Sequence, residues 1–251
     1  MFDVEKEVNG IVAFIRDYYE KNHLKGVVIG ISGGKDSGVA AALFVKALGK
    51  ENVVGTTMPC HSPESCRNDA QLVAEKYGFE LINIDLSASF DAFKSDFAKI
   101  GNVDEAMLKN SDINLKPRLR MATNYYVAAY YTALKGGTYL VAGTSNKSEL
   151  FTGYFTKGGD STYDIGVLND FTVAEVIRIG EYLEVPPQVL YKVPNDDLSD
   201  LTDEDKLGVR YDEIAAYMNK EEVSDAAKQR IEKLHASAAH KFHIPVYKRC
   251  G

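Results

Sequence analysis

Cysteine is scarce in this chain. Only Cys60, Cys66 and Cys250 occur, with no CxxC pair and no plausible zinc set. A disulfide-stapled scaffold is therefore excluded, and free thiols in a reducing compartment are expected. No stretch approaches ~18 uninterrupted apolar residues, so no membrane-spanning helix is predicted. The N-terminus carries Asp3, Glu5, Lys6 and Glu7 and lacks the apolar core of a signal peptide. Basic charge is also short: 29 Lys and Arg against 36 Asp and Glu leave a net charge of −7. That balance argues against a nucleic-acid partner, whose phosphates favour basic surfaces. The chain reads as cytoplasmic. No internal repeat, low-complexity tract or linker divides it, so residues 1–251 are read as one domain. What remains is ordinary for a globular protein, with 45% hydrophobic and 26% charged residues.

Periodicity supplies the frame. Val4, Val8, Ile11, Val12, Ile15, Tyr18 and Tyr19 recur at helical spacing, which predicts an amphipathic helix over 4–21. A strand over 26–31, a helix over 36–48, a strand over 52–58, a helix over 67–77 and a strand over 80–85 follow. Alternation of this kind predicts an α/β fold, a doubly wound, mostly parallel sheet with helices on both faces. Residues 119–135 read as a Tyr- and Ala-rich helix, and 139–142 as a fourth strand. Further helices are predicted over 172–183, 211–218 and 224–241. Glycines between Phe151 and Thr162 suggest a loop over a site, and the acidic stretch 193–207 reads as a mobile segment.

The most informative stretch is Gly30-Ile31-Ser32-Gly33-Gly34-Lys35-Asp36-Ser37-Gly38. It joins a strand to a helix N-terminus, where converging N–H groups and the helix dipole favour an anion. Gly33 and Gly34 permit close approach of a phosphate, and Ser32 and Ser37 offer hydroxyls. Asp36 beside phosphates implies a cation between them, with Mg²⁺ the natural choice. The pattern is not a Walker P-loop, which places lysine directly before the hydroxyl. It resembles the SGGxDS loop of the N-type ATP pyrophosphatases, which split ATP between its α- and β-phosphates and share an adenine nucleotide alpha hydrolase-like fold. The bland alternative is a Gly-rich turn without a ligand.

A second cluster, Gly143-Thr144-Ser145-Asn146-Lys147-Ser148-Glu149 and then Gly153-Tyr154-Phe155-Thr156-Lys157-Gly158-Gly159-Asp160, follows the fourth strand. It falls on the same rim of the sheet as Asp36, and Glu149 can supply a second carboxylate to a metal. Together with Asn114-Leu115-Lys116-Pro117-Arg118-Leu119-Arg120-Met121, the cluster resembles the ammonia-dependent NAD⁺ synthetases, with similarity running to His240-Lys241. That resemblance implies ATP held by residues 30–37 and by Thr144 and Asn195, with Mg²⁺ on Asp36 and Glu149. It implies an arginine on the acid substrate, Arg118 first and Arg120 in reserve. Lys157, Asp164, His240 and Lys241 would line that substrate, and Asp160 and Lys157 would be the catalytic pair, with Asp160 placing or deprotonating ammonia. The expected reaction adenylates the carboxyl of deamido-NAD⁺, releases pyrophosphate, and lets ammonia displace AMP. A homodimer is implied. No amidase domain is read before the first helix, so free ammonia, or ammonia from a separate source, is the expected nitrogen donor.

Two positions depart from the family pattern. Val173 stands where an ATP-contacting lysine is expected, and Asn195 lies in Pro194-Asn195-Asp196-Asp197-Leu198, where P-[ST]-A-D-L is common. Lys35 is a candidate to compensate for Val173. Two rivals share the loop: a tRNA-modifying thiolase or lysidine synthetase, and a non-catalytic ATP sensor. The first calls for a cysteine pair or a basic surface, and neither is present. The second finds its support in Val173. His235, His240 and His243 read as solvated residues rather than a metal set, the tyrosines at 125–131 as a packing or subunit stripe, and Cys60 and Cys66 as spectators.

Overall fold

A computed structural model describes residues 2–62, 64–101, 103–193 and 202–249. Asn195 and most of the acidic stretch lie outside the described residues. The elements run α1 (Val4–Lys21), β1 (Leu24–Gly30), α2 (Lys35–Leu48), β2 (Val53–Thr57), α3 (Glu64–Tyr77), β3 (Glu80–Asn83), α4 (Ser87–Ala98) and α5 (Glu105–Lys135). They continue with β4 (Thr138–Gly143), α6 (Lys147–Thr152), β5 (Ile165–Gly166), α7 (Val173–Tyr182), α8 (Pro187–Leu190), α9 (Asp203–Leu207), α10 (Tyr211–Met218) and α11 (Asp225–Phe242). No helix among the described residues is long and apolar enough to cross a membrane.

The sheet runs β3-β2-β1-β4-β5, and every pairing is parallel. Alternation along β1 sorts its side chains between two apolar layers. Val27 and Ile29 pack with Ile15, Phe44 and Ile179 beneath α1, α2 and α7. Val28 faces the other way, with Val54, Val127, Tyr131 and Val141 under α5. α2 is sheathed on all sides, so Val39, Ala40, Ala41, Leu43 and Phe44 are fully buried. Strand order reverses between β1 and β4, and ligands of open α/β sheets bind at the crevice such a reversal creates. The loops after both strands meet there.

Four features depart from the sequence reading. α4 is a helix that the reading left unassigned. β5 is only Ile165–Gly166, too short for any periodicity to show. α8 and α9 are single turns. α5 begins 14 residues before the expected start at 119, and it continues through Pro117, which normally ends a helix. Contacts with the loop after α6 hold this turn together. Thr156 Oγ1 donates to Asn114 Oδ1 at 2.9 Å, and the Arg118 guanidinium donates to the Lys157 carbonyl at 3.3 Å. Gly159 lies so close to the proline that a Cβ there would stand 2.9 Å from the Pro117 ring. Tertiary packing outweighs the local breaker.

Candidate active site

The loop from β1 into α2 is braced by its own hydroxyls. Ser37 Oγ donates to the Gly34 carbonyl at 3.0 Å and accepts from Ser32 N at 3.2 Å, while the two serine hydroxyls lie 3.1 Å apart. Gly34 N donates to Ser32 Oγ at 3.3 Å. Gly33 takes φ +80°, a conformation that a Cβ would strain. Gly34 caps α2 without a side-chain acceptor, so the N–H groups of the first turn present a dipole end suited to an anion.

Behind this turn lies a buried charge cluster. Lys35 Nζ pairs with Asp36 Oδ2 at 2.9 Å, and its side chain is only 6% exposed. Burial alone pulls the ammonium down, but Asp36, Glu149 and Asp203 outweigh it and raise Lys35 above its ordinary value. The lysine is thus turned into the protein toward carboxylates, with the Tyr211 ring 5.8 Å away. Asn146 Nδ2 donates to Asp36 Oδ1 at 3.1 Å. The same asparagine caps α6, accepting from Glu149 N at 3.1 Å, while Glu149 Oε2 accepts from Asn146 N. Burial, and next the Asp36 charge, push Glu149 well above the usual carboxylate range. A buried carboxylate that its neighbour's charge disfavours, with that second carboxylate beside it, is a donor pair suited to a hard divalent cation.

The C-terminal ends of the strands open into a cleft of about 650 Å³. Gly30, Ile31 and Ser32 form its floor, with Thr56–Pro59, Thr144 and the α5 residues Asn114, Arg120 and Asn124 on its walls. Asp160 reaches it from the loop after α6, and Lys241 from α11. Asp160 Oδ1 accepts from Thr156 N at 2.7 Å. Asp160 is accessible from the cleft, yet enough protein surrounds it that desolvation raises its carboxyl against the opposing pull of Lys241 and Arg120. Lys241 Nζ donates to the carbonyls of Gly153 (2.7 Å) and Phe155 (2.6 Å), and burial lowers its ammonium despite Asp160.

The remaining candidates divide between the cleft and its surroundings. Arg120 faces the cleft and donates to the Met58 carbonyl at 3.2 Å, whereas Arg118 is exposed on the outer side against Lys157. Lys157 Nζ donates to the His240 carbonyl at 2.7 Å, so Lys157, Arg118 and His240 form an outer lip. Asp164 braces the sheet edge, accepting from Tyr125 Oη at 3.0 Å and Val141 N at 2.8 Å. Val173 opens α7 and packs against the apolar group of Leu207, Ile214 and Ile231.

Sequence reasoning missed Asn124 and Thr56. Thr56 Oγ1 donates to Asn124 Oδ1 at 2.7 Å, and the asparagine amide lies directly over Gly30. A signal existed: Pro117, Arg120, Met121 and Asn124 fall at i, i+3, i+4 and i+7, one helix face that all lines the cleft. Arg67 and Asp85 line its far end and were also unassigned.

Residues 7–245 match the family described as NAD synthase. A protein from Alkaliphilus metalliredigens (strain QYMF) named NH(3)-dependent NAD(+) synthetase is 36% identical, with 97% of this chain and 98% of the relative covered. One of the same name from Archaeoglobus fulgidus is 38% identical over 96% of this chain and 95% of the relative. Among solved structures, an NMN synthetase from Francisella tularensis superposes with a TM-score of 0.89 at 30% identity, covering 100% of both chains. The NH3-dependent NAD synthetase of Campylobacter jejuni gives a TM-score of 0.79 at 27% identity, covering 99% of this chain and 100% of that one. With its parallel sheet, its serine-braced loop and matches of this length, the chain belongs to the NAD synthase family.

Proposed function

We propose that the chain works as a single-domain ligase that amidates deamido-NAD⁺ to NAD⁺ with ammonia, consuming ATP. Family membership supports the reaction, and one observation ties it to this cleft: Gly30, Ile31 and Ser32, which begin the serine-braced loop leading to α2, line the same cavity as Asp160. The serine-braced turn and first-turn N–H groups would bind the ATP phosphates and hold them in line for attack by the substrate carboxylate. That attack forms a carbon-linked oxygen–phosphorus bond at the α-phosphate and expels pyrophosphate. Asp36 and Glu149 are the residues that would hold Mg²⁺, which supplies charge neutralisation to phosphate oxygens when bound. In the second half-reaction the nitrogen of ammonia bonds to the acyl carbon, the carbon–oxygen bond to AMP breaks, and Asp160 takes the surplus proton. Its raised pKa suits a base, since a carboxylate at the ordinary value holds protons too weakly. Arg120 and Lys241 would face the anionic substrate from opposite walls.

The test is release of pyrophosphate and AMP from Mg-ATP, with deamido-NAD⁺ present and with or without ammonium. Amide must form only with ammonium, and failure to form any amide would sink the reading. A specific observation favours a second acid substrate. The superposition with the NMN synthetase (TM-score 0.89) is tighter than that with the Campylobacter jejuni NAD synthetase (0.79), which points to the mononucleotide, nicotinate mononucleotide. Parallel kcat/KM values for the two acids decide between them.

A further inference from the structure

Asn169 stands between two cavities. Its side chain belongs to the wall of a second hollow, of about 430 Å³, bounded by α6 and α11. Its Nδ2 donates to the Tyr163 phenol oxygen at 2.5 Å, and Tyr163 belongs to the wall of the main cleft. One hydrogen-bonded side-chain pair therefore links the wall of one space to the wall of the other. The pair lies in a slot made by two glycines in register, Gly143 on β4 and Gly166 on β5. A Cβ on Gly143 would come within 2.4 Å of the Tyr163 ring, and one on Gly166 within 2.0 Å of Asn169 Oδ1. Asn169 Oδ1 is also a buried acceptor without a hydrogen-bond partner, a rare and costly condition that calls for a donor.

The hollow is lined chiefly by Leu150, Phe151, Met218, Ala236, Ala239 and Phe242. Two of its polar neighbours are engaged: Lys147 pairs with Asp170 at 2.8 Å, and His235 Nδ1 bonds the Phe151 carbonyl at 2.8 Å while its ring stacks on that phenylalanine; His243 also lines the hollow. An apolar lining of this kind penalises a charged solute far more than a small neutral one. The amidation needs a small neutral nucleophile, and it needs it after ATP and the acid already occupy the cleft. We infer that the hollow between α6 and α11 is the entry for ammonia, and that the Tyr163–Asn169 pair is the gate it passes to reach Asp160. Asn169 Oδ1 gives the incoming N–H an acceptor at the gate, and the phenol swings aside without disturbing the phosphate loop. This inference rests on the ammonia-dependent reading above.

Ala236→Trp and Ala239→Trp fill the hollow from the exposed side of α11, away from the cleft residues. Each is expected to raise the KM for ammonium at least fivefold at fixed pH. The KM values for ATP and for the acid, and kcat at saturating ammonium, should stay within twofold of the unsubstituted enzyme. Ala236→Leu, a milder filling, keeps the test available if a tryptophan variant does not fold, and melting temperatures report which variants are sound. Folded variants with an unmoved KM for ammonium overturn the route, as does a parallel rise in all three KM values. An unsubstituted enzyme that makes no amide from ammonium would instead remove the underlying reading, so the two failures are told apart.

Discussion

Asn146 Nδ2 donates to Asp36 Oδ1 at 3.1 Å, tying the first turn of α2 to the N-cap of α6. The loop after β1 and the loop after β4 thereby form one rigid unit across the point where strand order reverses. Asp36 is held from both sides, by this amide and by the buried Lys35. Asp36→Asn keeps the shape but removes the charge on which Lys35 depends and which a bound cation would need. Pyrophosphate release should fall by about 10²-fold or more, with a native circular dichroism spectrum. Full activity in a folded variant would remove Asp36 from the phosphate chemistry.

Asp160 separates the two half-reactions. Asp160→Asn can keep the bond from Thr156 N but cannot take a proton, so amide formation should drop about 10²–10⁴-fold while pyrophosphate release persists. The pH dependence follows from the raised carboxyl. A group with a raised folded pKa contributes stability that is fully present below its unfolded pKa and lost as pH rises through its folded pKa. The asparagine variant should therefore melt higher than the parent at pH 8, and the difference should vanish near pH 3. Equal melting curves at both pH values would show that the carboxyl is not strained by its surroundings.

Much of this arrangement was legible in the chain itself, and the reasons are specific. The Ser32–Ser37 turn declares itself because strand, glycines and hydroxyls are contiguous. The second cluster, Thr144–Glu149, could be placed on the same rim because parallel strands all end there. The resemblance put Arg118 ahead of Arg120, but spacing alone could not place either at the cleft, since which of two residues two apart faces it depends on helix rotation, and Pro117 concealed that they lie in the middle of α5. Lys35 and Asp164 show the other limit. Both look like ligands for substrate by position, and both are engaged by protein partners that only the folded chain brings near, Asp36 in one case and Tyr125 with the Val141 amide in the other.

α5 leaves aromatic and aliphatic surface uncovered. On α5, Tyr126, Tyr130 and Leu134 fall at i, i+4 and i+8 and are 74%, 57% and 60% exposed, and exposed apolar patches of this kind mark association sites. We propose a homodimer through this face. Tyr130→Glu should convert the dimer to monomer in light scattering at micromolar concentration, while a native spectrum is retained. A parent chain that is already monomeric at that concentration would defeat the proposal.

Val173 carries the sharpest prediction, because the family resemblance and the structure point in different directions. If the missing lysine only neutralised ATP phosphate, Val173→Lys should restore a charge-assisted hydrogen bond of about 1.5 kcal/mol and lower the KM for ATP by about tenfold. The surroundings argue otherwise. Val173 opens α7 directly after the capping box of Thr172 and Glu175, and it is part-buried against the group containing Leu207, Ile214 and Ile231. The buried cation of this region is Lys35, already bound to Asp36. A lysine introduced at 173 loses the apolar contacts of valine and has to carry its charge out of that group, at a cost of about 1–3 kcal/mol. For a chain of this size each 1 kcal/mol lowers Tm by about 2–4 °C. The expected outcome is therefore a lower Tm with an unchanged or higher KM for ATP. A lower KM with an intact Tm would mean that the start of α7 still faces the nucleotide, and that this chain binds ATP weakly for want of one charge.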